Sequence, residues 1–269
     1  MLVASASLAA AQEYPSRPIR LVIPFAPGGS VDLIARTVAN GLSKRLGQQV
    51  QPDNRGGAGA TIGTEIVANA PPDGYTLLQV SLAHAVNPSV YKLKFDPIKS
   101  FAPIASLGSG PSVLTVHPSV PVNSVGDLIA LAKQKPGLLI AANAGVGSFT
   151  HTAGVLFAMM AGVDIQQVPF KGGGPAMIDV VGGHSQVLFN SYVASQPHVV
   201  SGKLKALGVT DTKRSALFPS VPTIAESGVP GYAAANWWGF AAPAGTPQAI
   251  IEKLHREITA VLDTPEVQK

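Results

Sequence analysis

The chain has 269 residues, 46% of them hydrophobic and only 13% charged. That is enough for a large core in one or two domains and excludes the polar, highly charged composition of a disordered chain. The formal charge of +4 is the balance of 19 basic and 15 acidic residues, with Lys44–Arg45 and Lys213–Arg214 among the densest basic pairs, so the concentrated basic surface of a nucleic-acid binder is excluded. The absence of cysteine excludes disulfides and cysteine-ligated metal or iron–sulfur sites.

The chain opens with "MLVASASLAAAQEYPS", a run of small apolar residues ending in Ala9-Ala10-Ala11. It matches the apolar region and A-x-A cleavage site of an export signal, without the charged n-region. Residues 1–11 are therefore read as a signal-peptide remnant and the mature protein as soluble and exported. No later stretch reaches the ~18 uninterrupted apolar residues of a membrane-spanning helix. With no cysteine after the cleavage site, no lipid anchor is expected.

Apolar runs then alternate with helical patterns. "IRLVIPF" (19–25) reads as a strand, and Val31, Ile34, Ala35, Val38, Leu42 and Leu46 fall at helical spacing. Gly41 lies inside that helix, remote from any loop. "QQVQPD" (48–53) precedes a glycine loop and a helix over 61–69, and the turn "PPDG" introduces a strand at 75–81. "SVLTVH" (112–117) is a further strand, and Ser124 with Asp127 caps a helix over 125–135 in the manner of a capping box. "GLLIAANAG" leads into a helix over 149–161, and "IQQVPF" into a helix after Pro175. Strands follow at 185–190 and 205–210. Thr246-Pro247 reads as the N-cap and first residue of a last helix carrying Ile250, Ile251, Leu254, Ile258 and Val261 on one face. Strands alternating with helices predict βαβ units, a mainly parallel sheet and, for this many units, two lobes.

Four glycine-rich segments stand where a strand becomes a helix: 23–32, 53–63, 143–151 and 170–177. A single such loop is ordinarily just a turn. Together they point to a ligand, because helix N-termini carry unpaired N–H groups and a partial positive charge that suit an anion. In open α/β sheets such loops cluster at the carboxyl ends of the strands. Asp32, in a first helical turn, is expected to stabilise its own helix and not to meet an anion.

Other chemistries fit less well. Gly57, Gly59 and Gly63 approach a dinucleotide fingerprint, but the spacing is one residue too long and the acidic residue about 20 positions on is missing. "FKGGGPAM" lacks the Gly-Lys-Ser/Thr ending of a P-loop. No G-x-S-x-G elbow appears. Ser148 and His151 lie close enough to meet, with no orienting acid identifiable, and Ser148 is more simply an N-cap. The six histidines are dispersed without metal-ligand spacing, so no metal site is expected. An α/β enzyme, either an NAD(P)-dependent dehydrogenase or a hydrolase, is the alternative to a binding protein.

The segment from "YPSRPIRLVIPFAPGGSVDLIARTVANGL" to "NAPPDGYTLL" closely resembles the N-terminal lobe of the tripartite tricarboxylate transporter receptors, the Bug-type solute-binding proteins. "HAVNPSVY", "FAPIASLG", "GVGSFTH", "VPFKGGGPAM", "GKLKALGVT", "VPTIAESGVPGY" and "NWWGFAAPAGTP" follow in order, so the resemblance covers nearly all of residues 14–269. It implies an α/β, two-lobed periplasmic binding protein fold of the type II, Venus-flytrap kind, each lobe a mixed sheet flanked by helices. Lobe 1 is expected at 12–111 and 211–269 and lobe 2 at 112–210. The implied function is capture of a small carboxylate, a dicarboxylate or aromatic acid, in the periplasm. Delivery is to the membrane components of a tripartite tricarboxylate transporter, by a monomer, with no catalysis, cofactor or metal and no nucleic-acid partner.

Ligand contacts implied by motif are Gly28, Gly29, Ser30, Ala58, Gly59, Thr61 and Ser81 in the first lobe. In the second they are Asn143, Gly147, Ser148, Thr150, Lys171, Gly172, Gly173 and Asn190. Three departures from the family pattern stand out. Asn190 occupies a place where the family often has Asp, Phe170 one where Tyr is common, and the chain stops at Lys269, before an expected final helical segment.

Overall fold

The computed structural model describes residues 14–216 and 218–268; the signal-peptide remnant read in residues 1–11 lies outside the described residues. The chain begins with β1 (Ile19–Ile23), buried along nearly its whole length, as a parallel strand covered on both faces must be. α1 (Ser30–Leu46) buries Val31, Ala35, Val38, Ala39 and Leu42 on one face and stops at Gly47, whose φ of 66° suits a left-handed C-cap. β2 (Val50–Asn54), a 3₁₀ turn over Ala58–Ala60, α2 (Thr61–Ala68), β3 (Thr76–Ser81) and α3 (Leu82–Val86) complete this half. β4 (Phe101–Val116) then runs for 16 residues out of it.

The second half repeats the alternation: α4 (Val125–Gln134), β5 (Ile140–Asn143), α5 (Phe149–Ala161), β6 (Gln166–Pro169), α6 (Gly173–Val181), β7 (Val187–Ser191), α7 (Tyr192–Val200) and β8 (Lys205–Val209). Ser124 caps α4 as expected, accepting the Asp127 N–H at 3.0 Å while the Asp127 carboxylate accepts that of Asn123. The chain returns through β9 (Ala235–Pro243) to α8 (Gln248–Leu262) and a final turn, α9 (Pro265–Gln268). Thr246 does not cap α8; its hydroxyl donates to the Pro243 carbonyl, and the helix starts after Pro247.

The strands lie in the order β2-β1-β3-β9-β4-β7-β5-β6, with β8 also on β4. Among the named strands of the described residues, parallel pairing is confined to β1 with β2 and β3, and to β5 with β6 and β7. Every pair made by β4 or β9 is antiparallel, so the sheet is mixed, not mainly parallel. β4 belongs to both halves: residues 101–111 pair with β9, and 112–116 with β7 and β8. At the crossing sits Thr210, fully buried, whose hydroxyl accepts the Ser112 N–H and donates to the Ala234 carbonyl, both at 2.7 Å.

Each half has its own principal core. Ile19, Leu21, Leu42, Leu77, Phe240 and Leu254 belong to the first, and Leu114, Leu128, Phe157, Phe189 and Ile224 to the second. Residues 211–234, expected with the first half, pack instead against the second. Ile224, Val229 and Tyr232 sit in its core, and Phe218 and Val221 cluster with Val113 and Val209. The return therefore falls at Ala234, beside Thr210, and not at 211.

Gly41 is not a neutral helix position. α8 packs across α1 there, and a Cβ on Gly41 would stand 2.6 Å from a Val261 methyl. Overpacking of this kind costs about 1–3 kcal/mol, against which alanine returns about 1 kcal/mol of helix propensity. Gly41→Ala is expected to lower the urea unfolding free energy by about 1 kcal/mol. In a Val261→Ala background the same change is expected to be neutral or stabilising.

Candidate binding cleft

Where the halves meet, the carboxyl ends of five strands lead, directly or through short loops, into helices facing one cavity. The first half supplies Phe25, Gly29–Val31 at the start of α1, and Ser81 before α3. The second supplies Ala144, Ser148–Thr150 at the start of α5, Gly173 opening α6, and Asn190–Ser191 before α7. Asn236 of β9 completes the wall, its amide oxygen accepting the Leu82 N–H at 3.3 Å. The cavity offers about 30 Å³ to the centres of water-sized groups. That is room for roughly two waters, so a dicarboxylate enters only when the walls part.

None of the lining side chains is charged. Polarity comes from hydroxyls, two amides and the helix starts. α1 and α6 are capped by Gly29 and Gly172, which leave the first-turn N–H groups without a side-chain acceptor. Ser148 and Ser191 cap α5 and α7. The cleft is thus built to receive negative charge through neutral donors and the positive ends of helix dipoles.

Around this chamber the two halves touch backbone to backbone. The Ala26 N–H donates to the Lys171 carbonyl at 2.8 Å, and the Tyr91 hydroxyl to that of Val146 at 3.0 Å. A Cβ on Gly29 would stand 3.1 Å from the Gly173 nitrogen, and one on Gly172 2.7 Å from the Ala26 nitrogen. A Cβ on Gly174 would overlap the Pro27 carbonyl oxygen, and one on Gly59, already at φ 59°, the Val146 oxygen. At Gly59, Gly172 and Gly174 a side chain fits only if the opposite backbone shifts, and at Gly29 a Cβ would be tight.

Of the residues picked from sequence, Gly29, Ser30, Ser81, Ser148, Thr150, Gly173 and Asn190 line the cavity together. Gly59, Gly147, Lys171 and Gly172 lie instead at the contact between halves: a Cβ on Gly147 would meet Asn87, and Lys171 contributes its carbonyl while its side chain is exposed. Gly28, Ala58 and Thr61 are outside the lining, and the Thr61 hydroxyl donates to the Ala58 carbonyl. Asn143 is fully buried beneath the α5 loop, its amide holding the Gly145 N–H and Gln167. Sequence reading missed Phe25, Val31, Ala144, Phe149, Ser191 and Asn236. Of these, Ser191 alone carried a signal, as a Ser in the N-cap position of an unrecognised helix.

The family model described as "Tripartite tricarboxylate transporter family receptor" matches residues 34–269. BugT of Bordetella pertussis is 38% identical over 273 residues, covering 99% of this chain and 84% of BugT. A solved R. palustris structure with adipate has a TM-score of 0.91 at 38% identity, over 95% of this chain and 86% of that one. MatC from Rhodopseudomonas palustris with bound malate has a TM-score of 0.89 at 34% identity, over 95% and 87%.

The α1 loop is held by Asp32, which is 3% exposed and points away from the cavity. Its carboxylate accepts the Gly28 N–H at 3.0 Å, Arg36 Nε at 2.9 Å and Asn54 Nδ2 at 2.8 Å, while Asn54 Nδ2 also donates to the Phe25 carbonyl. Burial opposes the charge, but the hydrogen bonds from Arg36, Gly28 and Asn54 outweigh it and hold the carboxyl below its ordinary range. A depressed folded value stabilises the protein above the unfolded-state carboxyl range, and the contribution fades as pH falls through it and then through the folded value. Asp32→Asn is expected to cost about 2–3 kcal/mol at pH 7, the scale of hydrogen bonds to a charged group. Urea titrations should show the gap from wild type closing below about pH 4. A gap independent of pH would mean that the charge of Asp32 does not hold the loop.

Proposed function

Because this chain belongs to the tripartite tricarboxylate transporter receptor family, we propose that it captures a small carboxylate, a dicarboxylate or an aromatic acid, between its two halves. It then hands the solute to the membrane components of such a transporter. The observation that carries the ligand class is the convergence of helix starts from both halves on an uncharged, donor-rich chamber. The similar structures with adipate and malate support the same chemistry. The halves act as lobes of a periplasmic binding protein fold, hinged where β4 and Thr210 join them and closing on the solute as a monomer. Export to the periplasm is supported by the apolar run at 1–11; among the described residues no helix is long and apolar enough to cross a membrane.

Capture without chemistry fits the one nucleophile–base pair of interest in the cleft. Ser148 Oγ accepts the His151 backbone N–H at 3.3 Å, while His151 Nδ1 takes the Gly147 N–H at 3.5 Å. The hydroxyl and the ring thus serve different partners, as a helix cap does and an activated serine does not.

A ligand that binds only the folded state stabilises it by RT ln(1 + [L]/Kd), about 2.7 kcal/mol at ~100 Kd. In a thermal-shift panel of mono-, di- and tricarboxylates, aromatic acids and nucleotides, at least one acid is expected to raise the Tm clearly, and its amide is not. A response to nucleotides alone overturns the carboxylate reading.

Closure is tested separately with Gly174→Ala. The position is already helical, so the fold is retained, but the new methyl meets the Pro27 carbonyl only when the lobes are together. Affinity for the acid found above is expected to fall tenfold or more, about 1.4 kcal/mol. Small-angle scattering should lose the compaction seen on adding ligand. Gly126→Ala, in the first turn of α4 with only Ser124 Oγ at 3.7 Å, is the control and is expected to bind normally. Unchanged affinity in Gly174→Ala would show that binding does not need this contact.

A further inference from the structure

Asn190, the last but one residue of β7, is 1% exposed, and the two ends of its amide differ. Oδ1 accepts the Ser191 backbone N–H at 2.9 Å. Only the oxygen can accept from an N–H, so this bond fixes which end of the amide is which. The remaining Nδ2 is buried and has no acceptor among the described residues. Both ends of the amide lie against Gly173, where a Cβ would stand 3.6 Å from Oδ1 and 3.8 Å from Nδ2, and the side chain lines the chamber shared by Ser30, Ser81, Ser148 and Thr150. A buried donor left unpaired is costly and uncommon in folded proteins. The partner it lacks is an oxygen lone pair.

An ammonium group in the same place would fare badly. It would bring N–H donors up to an N–H donor and stand before the positive ends of helices. No Asp or Glu side chain lines the chamber, so its charge would lose hydration without gaining a counter-charge. The hydroxyls around it can accept hydrogen bonds but carry no charge.

Resting on the carboxylate-receptor reading, we infer that Asn190 is the specificity-determining residue of this cleft. Its Nδ2 donates to an oxygen of the bound acid and thereby selects acids without an amino group over amino acids of the same length. The selection lies in one atom: an aspartate at 190 would present oxygen where nitrogen now stands.

The test is titration calorimetry with two matched pairs, malate against aspartate and adipate against 2-aminoadipate, on the whole chain and on Asn190→Asp. The wild-type chain is expected to bind the non-amino member of at least one pair tenfold or more tightly than its partner. In Asn190→Asp that ratio is expected to move at least tenfold toward the amino compound. Equal binding of both members by the wild type, or a ratio unmoved in the variant, overturns the inference and leaves the carboxylate receptor standing. If no acid from either pair or from the wider thermal-shift panel binds the wild type, the receptor reading itself falls, and this inference with it. Should Asn190→Asp fail to fold, Asn190→Ala removes the donor without adding charge and is expected to narrow the ratio at least threefold. An unnarrowed ratio there counts against Asn190 equally.

Discussion

The arrangement depends on main chain meeting main chain across the cleft. Gly29 faces Gly173, the Pro27 carbonyl faces Gly174, and Ala26 is hydrogen-bonded to the Lys171 carbonyl. Such an approach is open only to residues without a Cβ, since a methyl at Gly174 would overlap the Pro27 oxygen. Because the glycines of α1 and α6 meet at their N-terminal ends, the same contact that brings the halves together also brings their unpaired N–H groups to one chamber. Shape and electrostatics therefore have a single origin. Asp32 supports it from behind by anchoring Gly28 while keeping its own charge off the ligand side.

A chamber of neutral donors has consequences for a receptor. A Lys or Arg at its centre would bring full charge, but at a desolvation cost that must be recovered from each ligand. Helix ends contribute about 0.3–1 kcal/mol each when exposed and up to ~2 kcal/mol when partly buried, and as backbone they need little reorganisation on binding. Several such contributions together can offset the charge of an anion without a buried cation. Specificity then rests on the few lining groups whose donor or acceptor character is fixed, and Asn190, tied to Ser191, is the clearest of them.

The joint between halves follows another logic. β4 changes partners at residues 111–112, with irregular register near Gly108. Beside it, the buried Thr210 hydroxyl links β4 to the start of β9. Covalent continuity and a few hydrogen bonds connect two largely separate cores, the structural form expected of a hinge. Residues 211–234 therefore pack with the second core, whatever their order in the chain suggests.

The alternating strands and helices, the Ser124 cap and the glycine loops were all legible in the sequence, because hydrophobic period and cap chemistry act over a few residues. So was the family, through motifs spread along the chain. The first part of β4 and β9 was legible only as motif: Pro103, Gly108 and Gly110 are poor strand formers, and they are held by antiparallel pairing to a segment more than 120 residues away. α7, which carries Pro197 inside it and is capped by Ser191, went unrecognised. Tertiary structure alone decided that Gly29 lines the cavity and Gly59 does not, because the two look alike as sequence, both meet the opposite half and differ only in what lies around them. It also decided the packing of Gly41 on Val261 and the orientation of the Asn190 amide. A local pattern can specify that backbone is bare; what that backbone meets depends on residues brought near only by folding.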